Sequence, residues 1–110
     1  MNEGSQIIVP PAFVAVHTRP GRLRPDLPAA DLAARYELCE DMAMMLSEHA
    51  SNQRWDTGAT EWDVLQRVYR GLLDGSTGLS VAESGWVLHR MAELLDWPQP
   101  DDADLAALVA

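Results

Sequence analysis

The chain has 110 residues, of which 47% are hydrophobic and 23% charged, so it is long enough for one domain with a modest core and too apolar for a disordered protein. All eight basic residues are arginines, and the lack of lysine excludes a Schiff-base lysine, a catalytic lysine and a P-loop lysine. The formal charge of −9 makes non-specific binding to nucleic acid unlikely, because the chain repels phosphate backbones.

The cysteine content and the apolar segments indicate in which cellular compartment the protein is expected. Cys39 is the single cysteine, so it permits no intramolecular disulfide and no zinc cluster built from cysteines. The run from Ile7 to Val16 is interrupted by Pro10 and Pro11 and is too short to span a membrane. Glu3 stands where a signal peptide would carry a basic residue, so we expect a cytoplasmic protein that does not enter the membrane.

Residues 1–28 contain five of the seven prolines, which predicts an extended N-terminal arm. The segments 7–9 and 13–16 are each compatible with a short edge strand. The apolar residues of the arm favour its docking on the rest of the protein, and they are Ile7, Ile8, Val9, Phe13, Val14 and Val16.

The segment 17–25, "HTRPGRLRP", adds Arg19, Arg22 and Arg24 to this arm. Residues 1–25 have a net charge of +2, whereas residues 26–110 have a net charge of −11. We therefore expect these arginines to lie on the acidic surface of the protein and, secondarily, to contact an acidic partner.

Residues 29–110 are predicted to form a helical domain. Apolar residues at steps of three and four predict a first helix near 29–52, and they are Leu32, Tyr36, Cys39, Ala43, Leu46 and Ala50. A second stripe beside the first widens the apolar face, and its members are Leu38, Met42, Met45 and His49. A face of this width predicts that two neighbouring helices pack against the first helix.

Two capping signals place the later helices. Thr60 precedes Glu61 and Asp63 and predicts the start of a helix over 60–73. Ser80 and Glu83 form a capping box ahead of a helix over 81–96, and residues 101–109 are compatible with one further turn. The short connections between these helices predict an all-α, antiparallel three-helix bundle with the extended arm at its N-terminus.

The candidate catalytic and metal sites have simpler interpretations. The glycine-containing segment 74–80 follows a helix and has no lysine, so we interpret it as a helix connection and not as a phosphate loop. No spacing pairs Cys39 with a histidine, and no Glu-x-x-His step of a di-iron bundle occurs near the carboxylates of the first helix. His89 and Glu93 are interpreted as a solvated pair. We therefore expect no catalytic, cofactor-binding or metal-binding residues.

Four tryptophans are many for so small a domain, and three of them lie at or just outside helix ends. Such rings usually cover the ends of a bundle, but exposed tryptophans also anchor partner proteins. We select Trp55 and Trp62, together with Arg19, Arg22 and Arg24, as candidate partner-binding residues.

The helices near 60–73 and 81–96 are also compatible with a helix-turn-helix. The second helix would then present to DNA the side chains of Glu83, Ser84, His89, Arg90 and Glu93. Two acidic residues against one arginine form a poor surface for DNA, so a small transcriptional regulator is the alternative interpretation.

The chain contains the stretches "RYELCEDMAMMLSEHA" at 35–50, "IVPPAF", "RPGRLRP" and "WVLHRMAELLDWP". Together they resemble a family of small proteobacterial proteins that carry the automatic label "ATPase with chaperone activity". The resemblance covers most of the chain and implies no catalytic residues, and the chain has neither a Walker lysine nor the length of an ATPase domain. The sequence thus favours a non-enzymatic protein-binding or adaptor module, whose partner is another protein and which is compatible with a homo-oligomer.

Overall fold

The computed structural model describes residues 7–110, and all regular secondary structure in that range is α-helical. The elements in chain order are α1 (Pro11–Val16), α2 (Ala29–Thr57), α3 (Glu61–Leu72), α4 (Val81–Leu95) and α5 (Asp102–Val109). The prediction of an all-α protein is therefore confirmed.

Helix α1 corrects the expectation for the N-terminal arm. A short strand over 13–16 and an extended backbone through this part of the arm are both wrong, because residues 11–16 are helical. Pro11 lies at the first helical position, where its missing N–H costs nothing, and the Pro10 carbonyl accepts hydrogen bonds from the amides of Phe13 and Val14. Residues 1–6 of the predicted arm lie outside the described residues.

Helix α2 starts where the sequence predicted and ends at Thr57, five residues beyond the predicted end. Gly58 terminates it in the left-handed conformation, with φ of 70°, and its amide donates to the Arg54 carbonyl. Ala50 is the last fully buried residue of α2, so its final two turns project past the core.

The capping predictions for α3 and α4 are confirmed. The Thr60 hydroxyl accepts a hydrogen bond from the Asp63 amide, and Ser80 and Glu83 form the complete capping box. Both helices end within one residue of their predicted ends. Helix α5 forms two turns where one was expected, and the Asp101 side chain caps it by accepting from the Ala103 amide.

The core lies between α2, α3 and α4. Helix α2 packs against both α3 and α4, α3 also packs against α4, and α1 packs on α4. The buried apolar side chains include Phe13, Cys39, Ala43, Val64, Leu65, Tyr69, Val87, Leu88, Met91 and Leu105.

The second apolar stripe of α2 is not covered as the sequence predicted. Leu38 is 38% exposed and Met45 is 60% exposed, whereas Cys39 and Ala43 on the adjoining face are fully buried. Within residues 7–110, the neighbouring helices therefore cover the Cys39 face of α2 and leave much of this stripe to solvent.

Candidate binding groove

An open groove of about 790 Å³ lies between α1, α4 and α5. Pro10, Ala12 and Val16 form its α1 wall, and α5 forms the facing wall. The floor is α4, and the groove-lining residues of α4 are Val81, Ala82, Gly85, Trp86, His89, Arg90 and Glu93. We call this surface the α4 groove.

Aromatic rings support the α1 wall of the α4 groove. Phe13 is completely buried, and its ring centroid lies 5.1 Å from that of Trp86 and 5.6 Å from that of Tyr36, both in edge-to-face geometry. Tyr36 and Trp86 also contact each other, with centroids 5.8 Å apart, and both line the groove. Aromatic pairs of this geometry add to the stabilisation that burial provides, so α1 is firmly seated.

A buried carboxylate fixes the C-terminal end of α1. Glu83, only 1% exposed, accepts two hydrogen bonds from Arg35, at 2.9 Å from Nε and 2.6 Å from Nη2. His17 Nε2 lies 2.9 Å from the same carboxylate, and the Ser80 amide donates to it at 3.0 Å. One side chain of α4 thus joins α2, the residue after α1 and its own helix cap.

The surroundings of Glu83 hold it in the ionised form. Burial alone would raise the pKa of this carboxyl, but hydrogen bonds from Arg35, the Ser80 amide and His17 outweigh burial and lower the pKa to about 2. A buried carboxylate with these partners is a structural junction between α2, α4 and the residue after α1.

The polar rim of the α4 groove is largely paired within the chain. Arg90 makes a bidentate contact with Glu40, with Nε–Oε1 and Nη2–Oε2 distances of 2.8 and 2.9 Å, and it also reaches Glu93. The His89 ring nitrogens lie 2.8 Å from Gln99 Oε1 and 2.8 Å from Asp102 Oδ1. The interpretation of His89 and Glu93 as a solvated pair is therefore wrong, because His89 contacts Gln99 and the first residue of α5, Asp102.

The would-be DNA-reading face of α4 differs from the helix-turn-helix expectation. Glu83 and Ser84 are buried in the core and cannot be presented to a DNA groove. Arg90 and His89 are held by acidic partners of the same chain. The sequence failed here because the apolar pattern of α4 does not reveal which of its polar residues face inward.

The five candidate partner-binding residues do not form one site. Arg19 bonds Asp26, Nε to Oδ1 at 3.1 Å, and Arg22 and Arg24 are exposed in the connection between α1 and α2. Trp55 is 86% exposed in the last turn of α2. The arginines precede Ala29, the first residue of α2, and Trp55 lies near the last residue of this helix, which is about 40 Å long. The arginines and Trp55 therefore lie at opposite ends of α2.

Trp62 is half-buried at the edge of the core. It packs against the core and lines a smaller pocket of about 310 Å³ with Pro98 and Pro100. None of the five candidates lines the α4 groove. The sequence analysis did not bring the groove residues together, because no local sequence pattern shows that α1 and α5 both flank α4.

Comparisons of the chain with protein-family models, curated proteins and solved structures gave no match. Across residues 7–110, no cluster of three or more histidine, cysteine, aspartate or glutamate side chains is arranged to hold a metal ion. Over the same range, no helix combines the length and the apolar character needed to cross a membrane.

Proposed function

We propose that the protein is a non-enzymatic protein-binding module and that the α4 groove is its binding surface. The observation that carries this proposal is an open, mainly apolar groove between three helices, with His89 and Arg90 at its rim paired within the chain. Exposed apolar surface rimmed by polar residues is typical of interaction sites. Aromatic rings such as that of Trp86 are frequent anchors of such interfaces.

The proposal includes the architecture that presents the groove. In this architecture, α2, α3 and α4 form one antiparallel bundle, and the described part of the N-terminal arm, residues 7–28, forms a strap docked on α4. The short connections at 58–60 and 73–80 and the packing of α2, α3 and α4 on one another support the bundle. The burial of Phe13 and the contact between His17 and Glu83 support the strap.

The exposed residues that the sequence analysis selected would make additional contacts with the partner outside the groove. Arg22 and Arg24 can contact an acidic segment of the partner, and Trp55 can add a contact at the far end of α2. Exposed ion pairs contribute only about 0–1 kcal/mol each, so these residues adjust affinity and the groove determines it.

A helix-turn-helix regulator remains the alternative function, and no feature of α4 favours it. Its test is DNA binding at about 150 mM salt, where specific complexes typically have nanomolar or tighter affinity. Because residues 26–110 have a net charge of −11, we expect no such binding.

The proposed function is tested by crosslinking in the cells from which the protein comes. A photoreactive amino acid replaces Ala106, an exposed residue of the α4 groove, and in a control protein it replaces Arg67, an exposed residue of α3 outside the groove. We expect a covalent adduct with another protein from position 106 and none from position 67. Equal adducts from both positions, or none from 106, would overturn the groove as the binding surface.

A further inference from the structure

Gly85 is an unusual residue for the middle of a helix. Glycine lowers helix stability relative to alanine, and a Cβ added at position 85 would meet no atom of the chain within 4 Å. The packing of this protein therefore does not require the glycine. Gly85 lines the α4 groove, so a side chain at this position would fill space that a bound molecule could use.

Three further residues that line the groove are small. Ala82 precedes Gly85 by one turn on α4, and Ala12 and Ala106 stand on the facing walls. The distance between packed helices depends on the side chains at their contact, so a helix that crosses α4 at Ala82 and Gly85 can approach its backbone closely. The length of the groove and the charge beside it also favour a helix as the bound molecule.

The length of the groove suits a helix. Val81 and Glu93 both line it and are twelve residues apart on α4, which corresponds to about 18 Å, or roughly three turns of a helix lying alongside. Among residues 7–110 there is no strand whose edge could extend a sheet with a bound peptide. An amphipathic helix that lays its apolar face in a groove is the recognition mode that fits helical walls.

The charge around the groove determines which polar residues the bound helix should carry along its edge. Residues 91–110 contain five acidic residues and no arginine, and Glu93 and Asp102 line the groove itself. At the rim, the single arginine Arg90 bonds two carboxylates, those of Glu40 and Glu93, and Asp102 contacts His89. These pairs leave a net negative charge beside α5, which favours a basic edge on the ligand.

We propose that the α4 groove binds an amphipathic helix of a partner protein, with its apolar face over Gly85 and a row of lysine or arginine residues along α5. This inference rests on the proposed function and specifies the chemistry of the partner. The first six residues of the chain, MNEGSQ, are too polar to supply the apolar face themselves.

Binding of designed peptides to the full chain tests the proposal. The probe is a helical peptide of about 18 residues with a leucine face and lysines along one edge, and its matched partner carries glutamate in place of each lysine. We expect the lysine peptide to bind at about 150 mM salt and the glutamate peptide to bind at least about tenfold more weakly. Titration calorimetry measures both affinities.

A pair of glycine variants separates groove binding from general attraction to an acidic protein. Gly71 is also a helical glycine with open space around its Cβ, but it lies on α3 outside the groove. Gly85→Leu should weaken binding of the lysine peptide at least about tenfold, whereas Gly71→Leu should change it less than about twofold. Gly85→Leu and Gly71→Leu should both keep or raise the melting temperature, because leucine favours a helix more than glycine does, and this measurement shows that the weakened binding is not caused by unfolding.

Several outcomes would overturn the proposal. They are equal binding of the two peptides, equal effects of the two leucine variants, and a dimer of the chain that Gly85→Leu dissociates, since a second copy would then be the occupant. Failure of both peptides to bind would also reject a basic helix. If position 106 still crosslinks to a protein in that case, the proposed function survives and only the partner chemistry is wrong.

Discussion

At the scale of single residues, Glu83 makes one local contact that the sequence predicts and two long-range contacts that it does not predict. Its role in the capping box with Ser80 is local, and the spacing of three residues predicts it correctly. Its contacts with Arg35 and His17 span 48 and 66 residues, and no sequence pattern links these positions. A capping glutamate is usually solvated, so only the packed structure shows that this one is buried.

Replacing Glu83 by glutamine should lower the free energy of unfolding by about 2–3 kcal/mol, because Arg35 would lose a charged acceptor in a partly buried position. The amide keeps the size of the side chain, so the loss reports charge and hydrogen bonding more than a cavity. Urea denaturation followed by tryptophan fluorescence measures the change. Glu37→Gln, an exposed change on α2, is the matched control and should have little effect, and equal stability of the two variants would contradict the role of Glu83.

The stability of the protein should depend on pH through the same carboxyl. The pKa of Glu83 is lowered to about 2 in the folded protein, so the folded state holds this proton less tightly than the unfolded chain, where the pKa is about 4.5. The stabilisation is therefore complete above about pH 5 and is lost as the pH falls toward about 2. Glu83→Gln should flatten this acid dependence, and an unchanged slope in urea titrations between those pH values would show that other carboxyls cause it.

Cys39 should be chemically inert in the folded protein. The thiol is fully buried, and burial, helped by the negative charge of Glu83, raises its pKa to about 12. Because the thiolate is the reactive form, alkylation at pH 8 should be slow in the native state and fast in concentrated urea. Mass spectrometry after a timed iodoacetamide pulse measures this difference, and rapid native labelling would show that the helices around Cys39 open readily.

At the scale of elements, the helices with a local signal were predicted well and the helix without one was missed. Thr60 and Ser80 mark the starts of α3 and α4, whereas the end of α2 at Gly58 was predicted too early, near residue 52. Helix α1 has no side-chain cap and only six residues, so it is too short to form on its own and depends on the packing of Phe13. The prolines beside it favoured an extended interpretation, yet Pro11 at the first helical position is compatible with a helix start.

The end of α4 offers a test of helix electrostatics. Asp96 caps this helix in the left-handed conformation, with φ of 56°, where its negative charge meets the negative end of the helix dipole. Asp96→Asn keeps a residue that tolerates this conformation and removes the charge, so we expect a gain of about 0.3–1 kcal/mol. Asp63→Asn, in the first turn of α3, should lose stability by the same mechanism. Thermal melts at low salt compare them, and changes of the same sign would refute the dipole argument.

At the scale of the whole molecule, the all-helical class and the main apolar faces followed from the sequence, but the groove did not. The groove exists because α1 and α5, the two shortest helices, both flank α4. Their placement depends on few side chains, chiefly Phe13 for α1 and Leu105 for α5. Short helices with one buried residue give almost no periodic signal, so their position could only be learned from the structure.

The groove therefore requires that α1 stay docked, and Phe13 is the residue that tests this. Phe13→Ala should lower the free energy of unfolding by about 3–5 kcal/mol, because it empties a fully buried site between Tyr36 and Trp86. Ile8→Ala, at a residue 89% exposed, is the matched control and should change stability little. Urea denaturation measures both variants.

Removal of residues 1–16 should destabilise the protein at least as much as Phe13→Ala, since it deletes all of α1. It would also remove one wall of the α4 groove, so any groove ligand should bind the shortened chain more weakly, even where that chain is still folded. The two effects are separable, because binding is measured below the melting temperature of each variant. If the shortened chain melts like the full one and Phe13→Ala is silent, then α1 is not docked in solution and the groove lacks the wall on which the proposed binding depends.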